Sequence, residues 1–183
     1  MSQSLCAHFQ RQVTEHPDQV AVRRADGSAE LTWAAYDARV REVAAGLAAL
    51  GVGRGDAVGL MLTNRPEFHV VDAAVMHLGA IGFSVYNTSS APQIEYLFTN
   101  AAPNVVVTEG QFLEKVQEAS KGSGVGHVIT IDGDEGTPSL ADVIAGAGEG
   151  FDFDAAWQAV TRDDVLTLIY TSGTTGNPKG VEL

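Results

Sequence analysis

From Trp33 onward the apolar residues Trp33, Tyr36, Val40, Val43, Ala44, Leu47 and Leu50 recur three and four positions apart, with Asp37, Arg39, Arg41 and Glu42 between them. That period predicts an amphipathic helix with one face in a core. Thr32 is placed to cap its start, and Gly51 followed by Val52 suits a left-handed stop with an apolar contact behind it. The next run, 57–62, is short, apolar and bounded by the turn Gly53-Arg54-Gly55-Asp56, which predicts a strand buried on both faces. Asn64-Arg65-Pro66-Glu67 then reads as a helix start with Asn64 as the cap, and Phe68, Val71, Ala74, Val75 and Leu78 supply its buried face up to Gly79.

The alternation continues. Strands are expected over 80–85, 105–107, 128–131 and 165–170. Between them, Ser90-Ala91-Pro92-Gln93 opens a helix through Ile94, Leu97 and Phe98. Thr108 with Gln111 caps another through Phe112, Leu113 and Val116, and Ser139 with Asp142 caps a short one. The stretch 132–151 is rich in Gly, Asp, Glu and Ala, and a mobile excursion is expected there. Helices alternating with strands that lack a polar face predict an α/β layered fold with a mainly parallel sheet and flanking helices. No repeat at a fixed period and no low-complexity linker divides the chain.

Composition narrows the function. The 183 residues allow one compact domain, or one and a fraction, and 45% hydrophobic residues can build its core. Eleven basic residues face 23 acidic ones, a formal net charge of -12, which disfavours a general nucleic-acid binder. No apolar run approaches the roughly 20 residues of a membrane span. The start carries neither a basic-then-apolar leader nor a glycine after Met1, so a cytoplasmic protein without a transmembrane segment is expected, peripheral membrane contact remaining open. Cys6, the one cysteine, has no partner for a disulfide or zinc site.

The segment with the most unusual chemistry follows the last expected strand: Tyr170-Thr171-Ser172-Gly173-Thr174-Thr175-Gly176-Asn177-Pro178-Lys179-Gly180. Small residues let backbone amides converge on an anion, hydroxyls add donors, and Lys179 adds a positive charge suited to a polyphosphate. The same residue types also build an ordinary polar hairpin turn. The P-loop pattern G-x-x-x-x-G-K-[ST], counted from Gly173, finds Pro178 where it needs glycine and Gly180 where it needs a hydroxyl; only Lys179 fits. With Val181-Glu182-Leu183 alternating behind it, the chain is expected to leave this loop as a strand.

The stretch YTSGTTGNPKGVEL resembles the phosphate-binding signature of the AMP-forming acyl-CoA synthetase superfamily, which includes peptide-synthetase adenylation domains and luciferases. HPDQVAV, LTWAAYDARVREVAAGLAALGVGRGDAVGL, NRPEFHVVDAAVMHLGAI and NVVVTE agree with that family in order. SVYNTSSAPQIEYLF is similar to long-chain fatty acyl-CoA synthetases. The resemblance implies that a fatty carboxylate attacks the α-phosphate of ATP to give acyl-adenylate and pyrophosphate, and that the thiol of coenzyme A then displaces AMP. On that basis Thr171, Ser172, Gly173, Thr174, Thr175 and Gly176 contact the ATP phosphates, with Mg2+, and Lys179 lies near the outer ones.

Family chains continue far past this signature, so the expectation is that residues 1–183 correspond to the N-terminal portion of an adenylation domain, the C-terminal domain, the magnesium-binding glutamate and most of the coenzyme A site falling outside them. The expectation is that the chain alone is not a competent ligase, and that a separately encoded C-terminal portion is a possible partner. Another adenylate-forming enzyme, an acyl-AMP ligase or a peptide-synthetase domain, is the alternative. Of the remaining candidates, His69 with Asp72 reads as a surface or helix-packing pair, 132–136 as an acidic turn rather than a calcium loop, and Asp163-Asp164 as capping or solvating a strand entry.

Overall fold

The computed structural model describes residues 4–134, 136–171 and 177–183. Four parallel strands form its centre: β3 (Ala57–Met61), β4 (Ile81–Ser84), β5 (Val105–Thr108) and β6 (His127–Thr130), ordered β4-β3-β5-β6. Every residue of β3 and β5 is buried, as their apolar sequences require. One face is covered by α2 (Trp33–Ala49) and α3 (Pro66–His77), backed by α1 (Leu5–Glu15), α6 (Leu140–Ala145) and α7 (Phe153–Gln158). The other carries α4 (Ala91–Ala101) and α5 (Gly110–Ser120), which pack on Met61, Phe83 and Val106. A hairpin of β1 (Val20–Arg23) and β2 (Glu30–Thr32) precedes α2, and an antiparallel pair, β7 (Leu168–Thr171) and β8 (Lys179–Glu182), ends the chain.

Local signals act as expected at several boundaries. The Thr32 hydroxyl accepts from Ala35 N–H, Gly51 takes φ +86°, and the Val52 amide returns to the Leu47 carbonyl. The Gln93 side-chain oxygen Oε1 accepts from the Ser90 amide, and the Ser139 and Asp142 side chains cap one another's amides. The acidic, glycine-rich stretch contains α6, seated so close to α2 that a Cβ on Gly46 would stand 3.0 Å from Val143.

Two caps differ. The residue before α3 is Arg65, not Asn64, because Pro66 at the first helical position forces its predecessor to extended backbone, here φ −136°, ψ 156°. Thr108 does not cap α5: it remains in β5, its hydroxyl donating to the Met61 carbonyl, and Glu109 precedes the helix.

The helices on the α2 face meet around His77, which is fully buried. Its Nδ1 lies 2.7 Å from the Ala73 carbonyl, an acceptor only, so Nδ1 carries the proton and Nε2 accepts from the Gln10 amide at 3.2 Å. Gln10 also donates to Asp37, which takes Arg41 Nε at 2.7 Å, and Arg41 reaches Asp154 while lying over the Phe153 ring. His77 stacks on that same ring. Burial holds the His77 pKa below its ordinary value, although the Ala73 carbonyl and Asp37 oppose that shift.

The unfolded chain therefore binds a proton that the folded chain refuses. Stability is predicted to fall as pH drops from 7 towards 5.5, by up to about 1.4 kcal/mol per pH unit. Urea unfolding at both pH values checks this, and His77→Gln, which titrates nowhere in that window, is expected to flatten the dependence.

Candidate functional site

The β7–β8 hairpin extends the parallel sheet at its β4 edge. Thr167 forms a parallel bridge to Gly82 and its hydroxyl donates to the Gly82 carbonyl at 2.7 Å. Because β7 runs with β4, the segment leaving Thr171 emerges on the carboxyl side of the sheet, where open α/β sheets bind ligands. Thr171 is the direct cross-strand partner of Lys179, so the two close the mouth of segment 172–178 and project from one face of the hairpin. Both are exposed. Ser172, Gly173, Thr174, Thr175 and Gly176, the central residues of the expected phosphate loop, lie outside the described residues. The expected exit strand is β8, so Lys179 begins a strand and not the helix that a P-loop needs.

Helix α4 is the platform for this hairpin. The Tyr96 hydroxyl donates to the Pro178 carbonyl at 3.0 Å, and the Tyr170 hydroxyl donates to Asn100 Oδ1 at 2.8 Å. The Tyr170 ring meets Phe83 edge-on and crosses over Gly180, where a Cβ would stand 3.3 Å from the ring. Burial raises the Tyr170 pKa, with Tyr96 adding to the shift, so its proton is retained for Asn100. Between α4 and the hairpin lies an open groove of about 820 Å³, lined by Tyr86, Pro92, Tyr96, Ile169, Tyr170 and Pro178. The loop before α4 is tied down by Lys115, which donates to the carbonyls of Asn87 and Ser89.

A second polar constellation, missed in the sequence, fills the carboxyl edge where β3 and β5 lie side by side. Arg65 donates to Glu67 at 2.8 Å and to both oxygens of Asp132 at 2.9 and 3.0 Å, and stands 3.8 Å from Glu109. Burial disfavours the Glu109 charge, but the Thr63 amide and hydroxyl, Gln111 and Arg65 together hold its carboxyl below the usual range. The Arg65 guanidinium is held charged chiefly by Asp132, against burial, with help from Glu67. These groups satisfy one another and occupy the crevice themselves. The expected acidic turn thus gives Asp132 to an ion pair across the sheet edge, and the expected strand entry gives Asp164 to Arg54 at 2.6 Å.

The hairpin also leaves apolar side chains uncovered. Leu166, Ile169, Val181 and Leu183 are exposed, Leu183 by 61%, and Leu5 continues the patch on α1. Asp72 faces the shallow groove beneath them, beside Phe68 and Met76, and burial there raises its carboxyl pKa, with His69 opposing.

Removing Arg65 would leave the carboxylates of Glu67 and Glu109 facing one another with little solvent. Arg65→Met is expected to cost about 2–4 kcal/mol in urea unfolding at pH 7, with part of the loss recovered at pH 4.5 as those carboxyls take up protons.

Comparison with known proteins agrees with this architecture. Residues 9–183 match the family described as AMP-binding enzyme. A protein of Mycobacterium tuberculosis described as uncharacterized is 46% identical over 130 residues, covering 71% of this chain and 73% of its own length. The 4-coumarate–CoA ligase 3 of rice is 39% identical over 158 residues, 83% of this chain and 26% of that protein. The long-chain-fatty-acid–CoA ligase FadD15 of Mycobacterium bovis is 34% identical over 176 residues, 92% of this chain and 29% of that protein. Among solved structures, a Mycobacterium tuberculosis fatty acyl CoA synthetase superposes with a TM-score of 0.83 at 25% identity, covering 98% of this chain and 34% of the synthetase. This chain thus spans between a quarter and a third of the two named ligases. A match running through nearly every element, from α1 to the hairpin that carries Thr171 and Lys179, assigns the chain to the AMP-binding enzyme family.

Proposed function

We propose that this chain is the N-terminal portion of a cytoplasmic ATP-dependent acid–CoA ligase and supplies its phosphate-binding loop. The observation that carries the reading is the hairpin mouth: a hydroxyl at Thr171 and an ammonium at Lys179 on paired strands, opening on the carboxyl side of a parallel sheet. On a chain of net charge -12, a polyanion needs such a local concentration of donors and positive charge. The reaction is attack of a carboxylate oxygen on the α-phosphorus of ATP, with the bond to the β-phosphate breaking and pyrophosphate leaving. Thr171, the donors of Ser172, Gly173, Thr174, Thr175 and Gly176, and Lys179 would stabilise the charge that grows on the departing pyrophosphate. The coenzyme A thiol then attacks the acyl carbonyl and AMP leaves.

Among the described residues no three His, Cys, Asp or Glu side chains are grouped to hold a metal ion; magnesium would enter together with the ATP phosphates. None of the described helices is long and apolar enough to cross a membrane. For the acid, the resemblance of 84–98 to long-chain fatty acyl-CoA synthetases favours a fatty acid over the aromatic acid named for the rice relative.

A second reading accompanies the first: the chain acts only together with another polypeptide. The uncovered apolar residues Leu166, Ile169, Val181 and Leu183 favour it, since contiguous apolar surface marks interfaces or self-association. Sedimentation of the purified chain is expected to show self-association that Ile169→Lys with Val181→Lys abolishes; a monomer at all concentrations would count against this reading.

Calorimetric titration of the purified chain with ATP and magnesium tests the first reading. Binding is expected, weakened about tenfold or more by Lys179→Ala through loss of a charge-assisted contact. Wild-type affinity in the variant, or no binding by either protein, would overturn it.

A further inference from the structure

Thr171 and Lys179, which flank segment 172–178, have to be held in one arrangement before a polyphosphate arrives, because each residue ordered only on binding subtracts from affinity. The β ladder fixes the two ends relative to each other, through Thr171 and Lys179. It does not fix where that mouth sits against the rest of the protein, and β8 is exposed along its whole length. Thr167 ties β7 to Gly82 and the Tyr170 ring meets Phe83; the remaining ties to the two ends of the segment come from α4. Tyr96 and Asn100 stand four residues apart on that helix, hence on one face, and each makes a hydrogen bond to the hairpin. The two bonds bracket the segment. Asn100 accepts from Tyr170, the residue before Thr171, and Tyr96 donates to the carbonyl of Pro178, the residue before Lys179.

Pro178 has no backbone N–H, so its carbonyl is the main-chain group by which the exit of the segment can be tethered. Helix α4 is itself well anchored. Ile94, Leu97 and Phe98 are buried in the core beneath it, Ser90 and Gln93 box its start, and Lys115 holds the preceding loop. Those anchors would stand unchanged if the two hairpin bonds were absent, so the Tyr96 hydroxyl does little for α4 and acts on the hairpin.

We propose that Tyr96 is a positioning residue for phosphate binding, its hydroxyl fixing Pro178 so that Lys179 is aligned for a pyrophosphate group, with Asn100 doing the same for Thr171 through Tyr170. This rests on the reading of 171–179 as a phosphate loop.

The test uses the full chain, inorganic pyrophosphate with magnesium as the probe, and three readouts: calorimetric affinity, melting temperature and amide hydrogen exchange. Tyr96→Phe removes only the hydroxyl. It is expected to weaken pyrophosphate binding about three- to tenfold, the range for one lost hydrogen bond. The melting temperature should stay close to wild type, while exchange of the Asn177, Lys179 and Gly180 amides rises in the free protein. A merely structural role would lower the melting temperature and leave affinity at wild type. Asn100→Ala, at an exposed position, carries the same test should Tyr96→Phe melt early. Wild-type affinity in both variants overturns the positioning role and leaves the phosphate reading intact. Absence of pyrophosphate binding by the wild-type protein overturns the phosphate reading and the positioning role with it.

Discussion

Burial of β3 and β5 on both faces is the constraint from which the other features follow. Strands reading Ala-Val-Gly-Leu-Met and Val-Val-Val-Thr cannot turn either side to water, so helices must cover both. Connecting parallel strands by helices in turn collects all their carboxyl ends on one edge. The hydrophobic requirement therefore decides where polar chemistry can accumulate. Arg65 with its carboxylates, and the opening between Thr171 and Lys179, both lie on that edge. The first is closed by its own counter-charges and the second is exposed.

The hairpin meets the parallel sheet through one bridge at β4 and leaves β8 exposed along its length. It is joined to β4 by the Thr167 contacts and to α4 by the Tyr96 and Tyr170 hydroxyls, so few bonds hold it, but at geometrically decisive points. Its outer residues, Ile169 and Val181, remain open to solvent.

Much of this was legible in the sequence where the signal is local. The stripe from Trp33 to Leu50, the apolar strands, Gly51 and the Ser90 and Ser139 boxes depend on neighbours within a few residues, and the structure reproduces them. Asn64 misled because cap preference was weighed without the steric demand of Pro66. Thr108 misled because its hydroxyl is claimed by Met61 across the sheet. The β1–β2 hairpin and α7 carried too little periodicity to register, and α1 was not expected either, although Ser4 caps it and Cys6 and Phe9 form its buried face. The Arg65 and His77 clusters were invisible for another reason: their members, such as Arg65 and Asp132 or Gln10 and His77, meet only once the sheet has brought distant segments together. The proposed site could be read as chemistry in YTSGTTGNPKG, but nothing in that string points to Tyr96 and Asn100, which reach the hairpin from α4.

The central claim is that the opening held by Thr171 and Lys179 is where a polyphosphate binds. Amide chemical shifts of the purified chain during titration with pyrophosphate and magnesium test it most directly. The account predicts saturable shifts concentrated in 171–180, with the Arg65, Glu109 and Asp132 edge unmoved. Shifts centred on that edge, or none within 171–180 at saturating pyrophosphate, would contradict it.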